Sequence, residues 1–367
     1  MIRIGAGGEA ACFGSARRRT LWCATELVTT TMKVPGKIQL TVWLLGIAGA
    51  ALFIAIILHQ DLSKVAEAFA AAGWAIIGIV AYHFIVPVFL DAVAWWVLFP
   101  RSDRLALRKL LWMRWIGESV STLVPSAAVG GDVVRARLAA INGAPLPIAA
   151  STVLVDLTLG VFTQAAFTLL GVVLLVGVTG QENFVRPTLI GTLIGVVGVV
   201  GFYFVQRLGM FRFLAKIVAR MANSPEWQSL VQGGETLDQT VRALYARRKA
   251  VLACCAWTIL SLVLGSGEIW IALHALDLHA TIANAVILQS MVLTVRSAAF
   301  AVPSGLGVQE TGYYFVGQLL GIPDYLAITL ALIARVRELA LGIPGVICWQ
   351  LIEARRLWRR RLAASAR

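Results

Sequence analysis

Charge is what this chain has least of. Asp, Glu, Lys and Arg make up 14% of its 367 residues against a hydrophobic share of 59%, and the mean hydropathy is +0.81. So few ions cannot wet the surface of a soluble protein. The roughly two soluble domains that such a length would suggest are therefore excluded, and a polytopic membrane protein is expected. Acidic residues are scarcer than basic ones, 19 against 32, giving a net charge of +13 and an isoelectric point near 10.1. In a soluble chain that excess would point to nucleic acid. Here cytoplasmic loops, which collect Lys and Arg, account for it, and no nucleic-acid partner is expected.

Cysteine and histidine are sparse and badly spaced for chemistry. Cys12, Cys23, Cys254, Cys255 and Cys348 form no C-x-x-C and have no His at metal-ligand spacing. They read as small buried hydrophobes rather than a redox or metal centre. His59, His83, His274 and His279 are scattered, and none pairs in sequence with a Ser, Cys or carboxylate in a catalytic pattern. A Walker loop is missing too, so ATP hydrolysis by this chain is not indicated. The expectation is a protein that is not an enzyme and needs no cofactor or metal.

What the chain has is apolar runs. Crossing a hydrocarbon core takes about 20 apolar residues, and six stretches qualify: residues 40–58, 75–99, 149–178, 187–205, 251–273 and 326–351. Two further apolar regions, 110–140 and 283–320, are broken near their middles by Pro and Gly and carry charges, and they read as re-entrant helical hairpins. With a cytoplasmic N-terminus, the inside segments 1–38, 100–115, 135–147, 206–250 and 352–367 hold 27 of the 32 basic residues. The outside connections hold Lys64 and Arg186, and Arg296, Arg335 and Arg337 lie within apolar segments. This asymmetry puts both termini in the cytoplasm of a multi-pass inner-membrane protein, provided that both broken regions return to the side they entered or cross twice.

The transmembrane domain is assigned to residues 38–351, with halves of 38–178 and 187–351. Residues 1–37 form a basic tail, and residues 352–367 a second one in which Trp358 anchors among arginines. Residues 1–31 lack an apolar core long enough for a signal peptide. They read as a disordered tail or as the product of a start upstream of Met32, with anionic-lipid contact as the alternative. Within 206–250, apolar and basic residues alternate at helical spacing in 211–221 and 237–248, broken at Asn223, Ser224 and Pro225. Two amphipathic helices on the cytoplasmic leaflet are expected, a solvated arm being the alternative. Gly191, Gly195, Gly198 and Gly201 mark close helix approach, within the monomer or at a homodimer face. Trp95 and Trp96, at the end of a span, read as an interfacial belt.

Self-comparison reveals a repeat. Glu118-Ser119, Val124-Pro125-Ser126 and Asp132 match Arg296-Ser297, Val302-Pro303-Ser304 and Glu310 at a constant offset of 178. Each set has a charge seven residues before the proline and a carboxylate seven after it, with Gly130-Gly131 or Gly305 and Gly307 in the gap. Downstream, Asp156 to Gly160 matches Glu338 to Gly342 at an offset of 182. Two spans precede the first broken region and five the second, so the halves enter from opposite sides. That is an inverted repeat, an architecture of many transporters, in which broken helices meet near the midplane. Proline and glycine end one half-helix and start the next, baring backbone that is tolerated at membrane depth only in protein or beside a wet cavity. The alternative is a pair of Pro-kinked spans.

Ions in apolar segments are costly and normally pair or face water. Asp91, Glu118, Asp132, Asp156, Glu268, Glu310 and Glu338 are acidic; Arg135, Arg296, Arg335 and Arg337 are basic. Arg335 and Glu338, three apart, share a helix face with Gly342 and Gly345. Glu118 and Arg296, equivalent in the repeat but opposite in sign, are expected to approach one another. Arg296 is the first candidate for a head-group contact. Glu310 and Asp132 are candidates for shaping the hairpin N-termini or for proton coupling, and Arg335 with Glu338 for gating. Glu118, Arg135, Asp156, Pro125, Ser126, Pro303, Ser304, Gly305 and Gly307 complete the candidate site. Asp91 and Glu268, without repeat partners, read as static ion pairs.

Residues 118–135, Val155 to Gly160, Val295 to Phe300, 302–312 and 335–349 resemble the transmembrane region of lysylphosphatidylglycerol synthases, a flippase-like integral membrane family. Within it they look closest to the branch associated with hopanoid biosynthesis in bacteria. The resemblance spans about residues 38–351. It implies movement of lipids between leaflets or membranes, with hopanoids or aminoacylated phospholipids as substrates and lipid-biosynthesis proteins as partners. The chain departs from full synthases in lacking a soluble aminoacyl-transfer domain, so synthase activity does not carry over. Drive would come from ion coupling, the lipid gradient or a partner. An accessory or scaffold subunit is the rival reading.

Overall fold

A computed structural model describes residues 51, 62–124, 130–180, 227–299, 302 and 305–365, with scattered positions between 190 and 208. These positions fall within the compact unit Leu45–Arg367. The expected basic tail at 1–37, most of the spans at 40–58 and 187–205, the helix at 211–221, Gly191, Gly195, Pro125, Ser126, Pro303 and Ser304 lie outside the described residues.

The described residues are helical throughout, with no strand among them. We number the helices α1 (Leu62–Ala72), α2 (Ala75–Leu98), α3 (Leu107–Leu123), α4 (Gly130–Ile141), α5 (Leu146–Thr179), α6 (Trp227–Ala246), α7 (Arg248–Ala275), α8 (Ile282–Ala298), α9 (Val308–Leu319) and α10 (Asp324–Ser365). By length and composition, α2, α5 and α7 can cross a membrane. The 42 residues of α10 reach about 63 Å, but its N-terminal half carries Arg335, Arg337 and Glu338. Large apolar side chains such as Ile77, Ile85, Val173, Leu252 and Ile347 point outward, more than half exposed. An apolar exterior around buried ions is what a lipid-facing protein requires.

Two apolar clusters lie at opposite ends of the long helices. One gathers Ile79 of α2, Val172 of α5, Ile269 of α7, Leu288 of α8, Tyr313 of α9 and Leu330 of α10. The other gathers Leu98 of α2, Leu110 of α3, Leu138 of α4, Val153 of α5 and Cys254 of α7. Thus α2 and α10 start at the first cluster, whereas α5 and α7 start at the second. The α3/α4 pair leaves from and returns to the second end; the α8/α9 pair does so at the first. Within each pair the two helices pack against each other across the break.

The glycines at the two breaks serve different needs. Gly131 is helical, and a Cβ there would run into the Gly117 carbonyl, so α3 and α4 touch through bare backbone. Gly305 and Gly307 instead have φ of +57° and +77°, a left-handed backbone that begins α9.

Three expectations change. Trp95 is fully buried in the second cluster, donating from Nε1 to Thr152 Oγ1 at 3.2 Å, because the ring turns toward α5. Trp96 alone fits an interfacial place: its Nε1 donates to the Leu105 carbonyl at 3.1 Å, and Arg104 stacks over its ring at 4.1 Å. Helix α6 buries Val241, Leu244 and Tyr245 in the second cluster, so its apolar edge packs on protein. Finally, α10 runs without interruption past 351 to Ser365, through Pro344 and much of the expected tail.

Candidate functional site

Two chains of ion pairs thread the bundle. In the first, Asp156 of α5 is the hub. Its Oδ2 accepts from Arg114 Nη1 at 2.9 Å and from Arg135 Nη1 at 2.8 Å. Arg114 Nη2 reaches Asp91 Oδ2 at 2.8 Å, and Arg135 Nη2 reaches Asp132 Oδ1 at 2.6 Å. Asp132 is in the first turn of α4, so Arg135 ties the start of that helix to α5. Asp156 and Arg135 are 6% and 3% exposed, so their charges are balanced inside the protein, by each other and by Arg114 and Asp132, rather than by water. The buried Cys254 thiol faces Asp156 Oδ1 at 3.9 Å, the small packed role expected of it.

The second chain surrounds the turn Arg335 to Glu338 of α10. Arg335 grips α9 and the break before it. Its Nε donates to Glu310 Oε1 at 2.5 Å, its Nη2 to the Gly305 carbonyl at 3.0 Å, and its Nη1 to Glu338 Oε2 at 2.7 Å. Glu310 is fully buried, and its Oε2 has no hydrogen-bond partner among the described residues. Glu338 Oε1 accepts from Arg296 Nη1 at 2.7 Å, and that same Nη1 reaches Gln309 Oε1 at 3.1 Å. Arg337 Nη1 donates to Glu268 Oε1 at 2.6 Å and lies 2.8 Å from His83 Nδ1. His83 Nδ1 is also 2.9 Å from Glu268 Oε2, and its Nε2 is 3.0 Å from Glu118 Oε1.

The ends of this chain are its open members. The side chains of Glu118 and Arg296 are 40% and 30% exposed, against 12% for Arg335 and Arg337 and 6% for Glu338. A small recess lined by His83, Glu118, Ser119, Arg337, Glu338 and Gly342 has room for about a water molecule.

Both breaks reach α10 between Arg335 and Gly342. Gly305 is held by Arg335, and Leu123, the last residue of α3, packs on Gly342, where a Cβ would meet its Cδ1 at 2.7 Å. Seven residues of helix, about 10 Å, separate the two contacts. Gly345 lies against Ser119, and the Leu341 carbonyl accepts from Trp115 Nε1 at 3.1 Å, so the glycine face of α10 is its contact with α3.

Sequence and structure can be compared residue by residue. Glu118, Arg296, Gly305, Glu310, Arg335 and Glu338 come together in the second chain, with Gly307 at the start of α9 beside them; Asp132, Arg135 and Asp156 come together in the first. The expected approach of Glu118 to Arg296 is corrected: Glu118 meets His83, and Arg296 meets Glu338, with Arg337 standing between. Glu268 and Asp91 do have ionic partners, Arg337 and Arg114. Sequence reasoning missed His83 and Arg114. The signal for His83 was its place inside a 24-residue apolar helix, where an ionisable group suggests function by itself. Arg114 was assigned to a cytoplasmic loop, whereas α3 carries it inward to two carboxylates.

An apolar-skinned helical bundle with ions sealed along its interior is a polytopic membrane protein. The chain belongs to the family described as the lysylphosphatidylglycerol synthase TM region, whose family model matches residues 43–345. This membership relates it to lipid modification or transport. No curated protein and no solved structure matches the chain.

Proposed function

We propose that this protein moves an amphipathic lipid, a hopanoid or a phospholipid derivative, across or out of the bacterial inner membrane without acting as an enzyme. In this reading six spans and two re-entrant hairpins form an inverted repeat, both termini are cytoplasmic, and the family branch is the hopanoid-associated one. The observation that carries it is the convergence of the two helix breaks, entering from opposite ends, on the two charged turns Arg335 to Gly342 of α10. Such a meeting of half-helices is where transporters hold polar cargo. Arg296 is the head-group contact, because both of its hydrogen bonds to described residues use Nη1 and its side chain is 30% exposed. The tail stays in hydrocarbon.

The test is a liposome assay with the full chain and labelled lipids, comparing wild type with Arg296→Ala and Glu310→Gln. Transport per folded molecule falls at least about tenfold in Arg296→Ala if a charge-assisted contact to the cargo is lost. An accessory subunit of a lipid-synthesis complex is the second reading, favoured by the near-complete internal pairing of the ions. On that reading Arg296→Ala lowers abundance and leaves transport per molecule unchanged.

A further inference from the structure

We infer that a proton bound at His83 accompanies the cargo, an inference that rests on the transport reading above and names its coupling ion. The imidazole sits on α2 where Glu118 of α3, Glu268 of α7 and Arg337 of α10 converge. A guanidinium N–H can only donate, and an ionised carboxylate can only accept. Nδ1 faces one of each, Glu268 Oε2 at 2.9 Å and Arg337 Nη1 at 2.8 Å, and cannot satisfy both at once.

The two protonation states therefore choose different partners. With the ring neutral and its proton on Nε2, Nε2–H donates to Glu118 and the bare Nδ1 accepts from Arg337. The other neutral tautomer points a lone pair at the Glu118 carboxylate and is disfavoured. With both nitrogens protonated, the ring donates to Glu118 and Glu268 together and repels Arg337. Neighbouring Tyr82 takes no part, since its hydroxyl donates to the Leu264 carbonyl at 2.7 Å.

Arg337 passes this change to the cargo site. Its Nη2 is 3.7 Å from Glu338 Oε1, the oxygen that Arg296 Nη1 holds at 2.7 Å. Pushed from the ring, Arg337 has that oxygen as its next acceptor, and competition there loosens Arg296 for an anionic head group. The charge balance runs the same way. Glu118, Glu268, Glu310 and Glu338 face Arg296, Arg335 and Arg337, so the cluster is anionic while His83 is neutral and balanced when it is protonated. An anion enters a balanced cluster more readily. Glu118 and the water-sized recess beside it provide the proton's inlet.

The test uses the full chain in phosphatidylcholine liposomes with fluorescent phosphatidylglycerol as probe, at about pH 6 and pH 10, a span wide enough for a histidine flanked by two carboxylates to change charge. Wild-type transport is expected to be at least about fivefold faster at the lower pH, the small end of ordinary coupling. His83→Gln loses that dependence. Nitrogen NMR of histidine-labelled protein in nanodiscs reads the ring itself: one of the four histidines changes tautomer and charge over that range, and Glu118→Gln moves its midpoint. Should His83→Gln not fold, this titration decides. Transport of equal rate at both pH values, or a ring that keeps one state throughout, overturns the inference and leaves the transport reading standing. Absence of lipid movement by wild type at either pH overturns the transport reading, and the inference with it.

Discussion

Arg335, in the N-terminal third of α10, holds Glu310 in the first turn of α9 through a 2.5 Å hydrogen bond from Nε, with 24 residues of chain between them. One guanidinium thereby fixes the start of a helix, the carbonyl of a left-handed glycine and a carboxylate on its own helix. Arg335→Met leaves Glu310 fully buried with neither oxygen partnered among the described residues. Loss of one partner from a buried pair costs about 3–5 kcal/mol. The expected result is a marked fall in thermal unfolding temperature, followed by tryptophan fluorescence of the detergent-solubilised protein. Glu310→Gln costs less, because Arg335 keeps Glu338 and the Gly305 carbonyl.

Asp156 is the corresponding hub of the other chain. Asp156→Asn removes the charge that Arg114 and Arg135 share and leaves each with one carboxylate, Asp91 or Asp132. A destabilisation of about 3–5 kcal/mol is expected, since both guanidiniums are largely enclosed. Asp91→Asn, at the edge of the chain and 21% exposed, costs less. Comparing the two unfolding midpoints checks the order, and equal effects would contradict the hub.

Close approach of α10 and α3 depends on missing side chains. Gly345→Ala puts a methyl group into Ser119 and is expected to cost about 1–3 kcal/mol by overpacking. Ser119→Ala in the same chain removes the hydroxyl and recovers part of the loss. The unfolding midpoints of the two single variants and the double variant give the coupling between them, and strict additivity would mean that the helices do not meet there.

Gly307 begins α9 at φ +77°. Gly307→Ala imposes a left-handed conformation on a residue with a Cβ, at a cost of about 1–2 kcal/mol. Gly131→Ala fails for another reason, collision with the Gly117 carbonyl, and no nearby side-chain trimming relieves it. Proteolysis in detergent at the α8/α9 break reads the first effect, with faster cleavage expected in Gly307→Ala.

How much of this the sequence disclosed varies with the physics involved. The breaks were legible because Pro and Gly act on their own backbone, and the helices do stop at Leu123 and Ala298. The span at 75–99 was legible from hydropathy. Arg335 and Glu338 were legible as a pair because three residues separate them on one helix. The pairing of Arg296 was not, since opposite signs at equivalent repeat positions say nothing about which third residue stands between. Arg337 and His83 stand there, brought in by packing from α10 and α2. The inward path of Arg114 was hidden for the same reason: a basic residue near a span end looks alike whether it faces headgroups or carboxylates 23 and 42 positions away.

Between His83 and Asp91 lies the wider turn of α2, the π-helical stretch Phe84–Val88 with Pro87 inside it. Such a bulge holds one residue more than the regular coil and rotates everything after it by about 100°. His83 consequently serves one ionic chain and Asp91 the other, although a single rod carries both. Excising any one residue from that stretch would straighten the rod and make it sturdier in isolation. It would also misalign one carboxylate or one imidazole with its guanidinium, so the irregularity works as a phase shifter whose removal the bundle could not absorb.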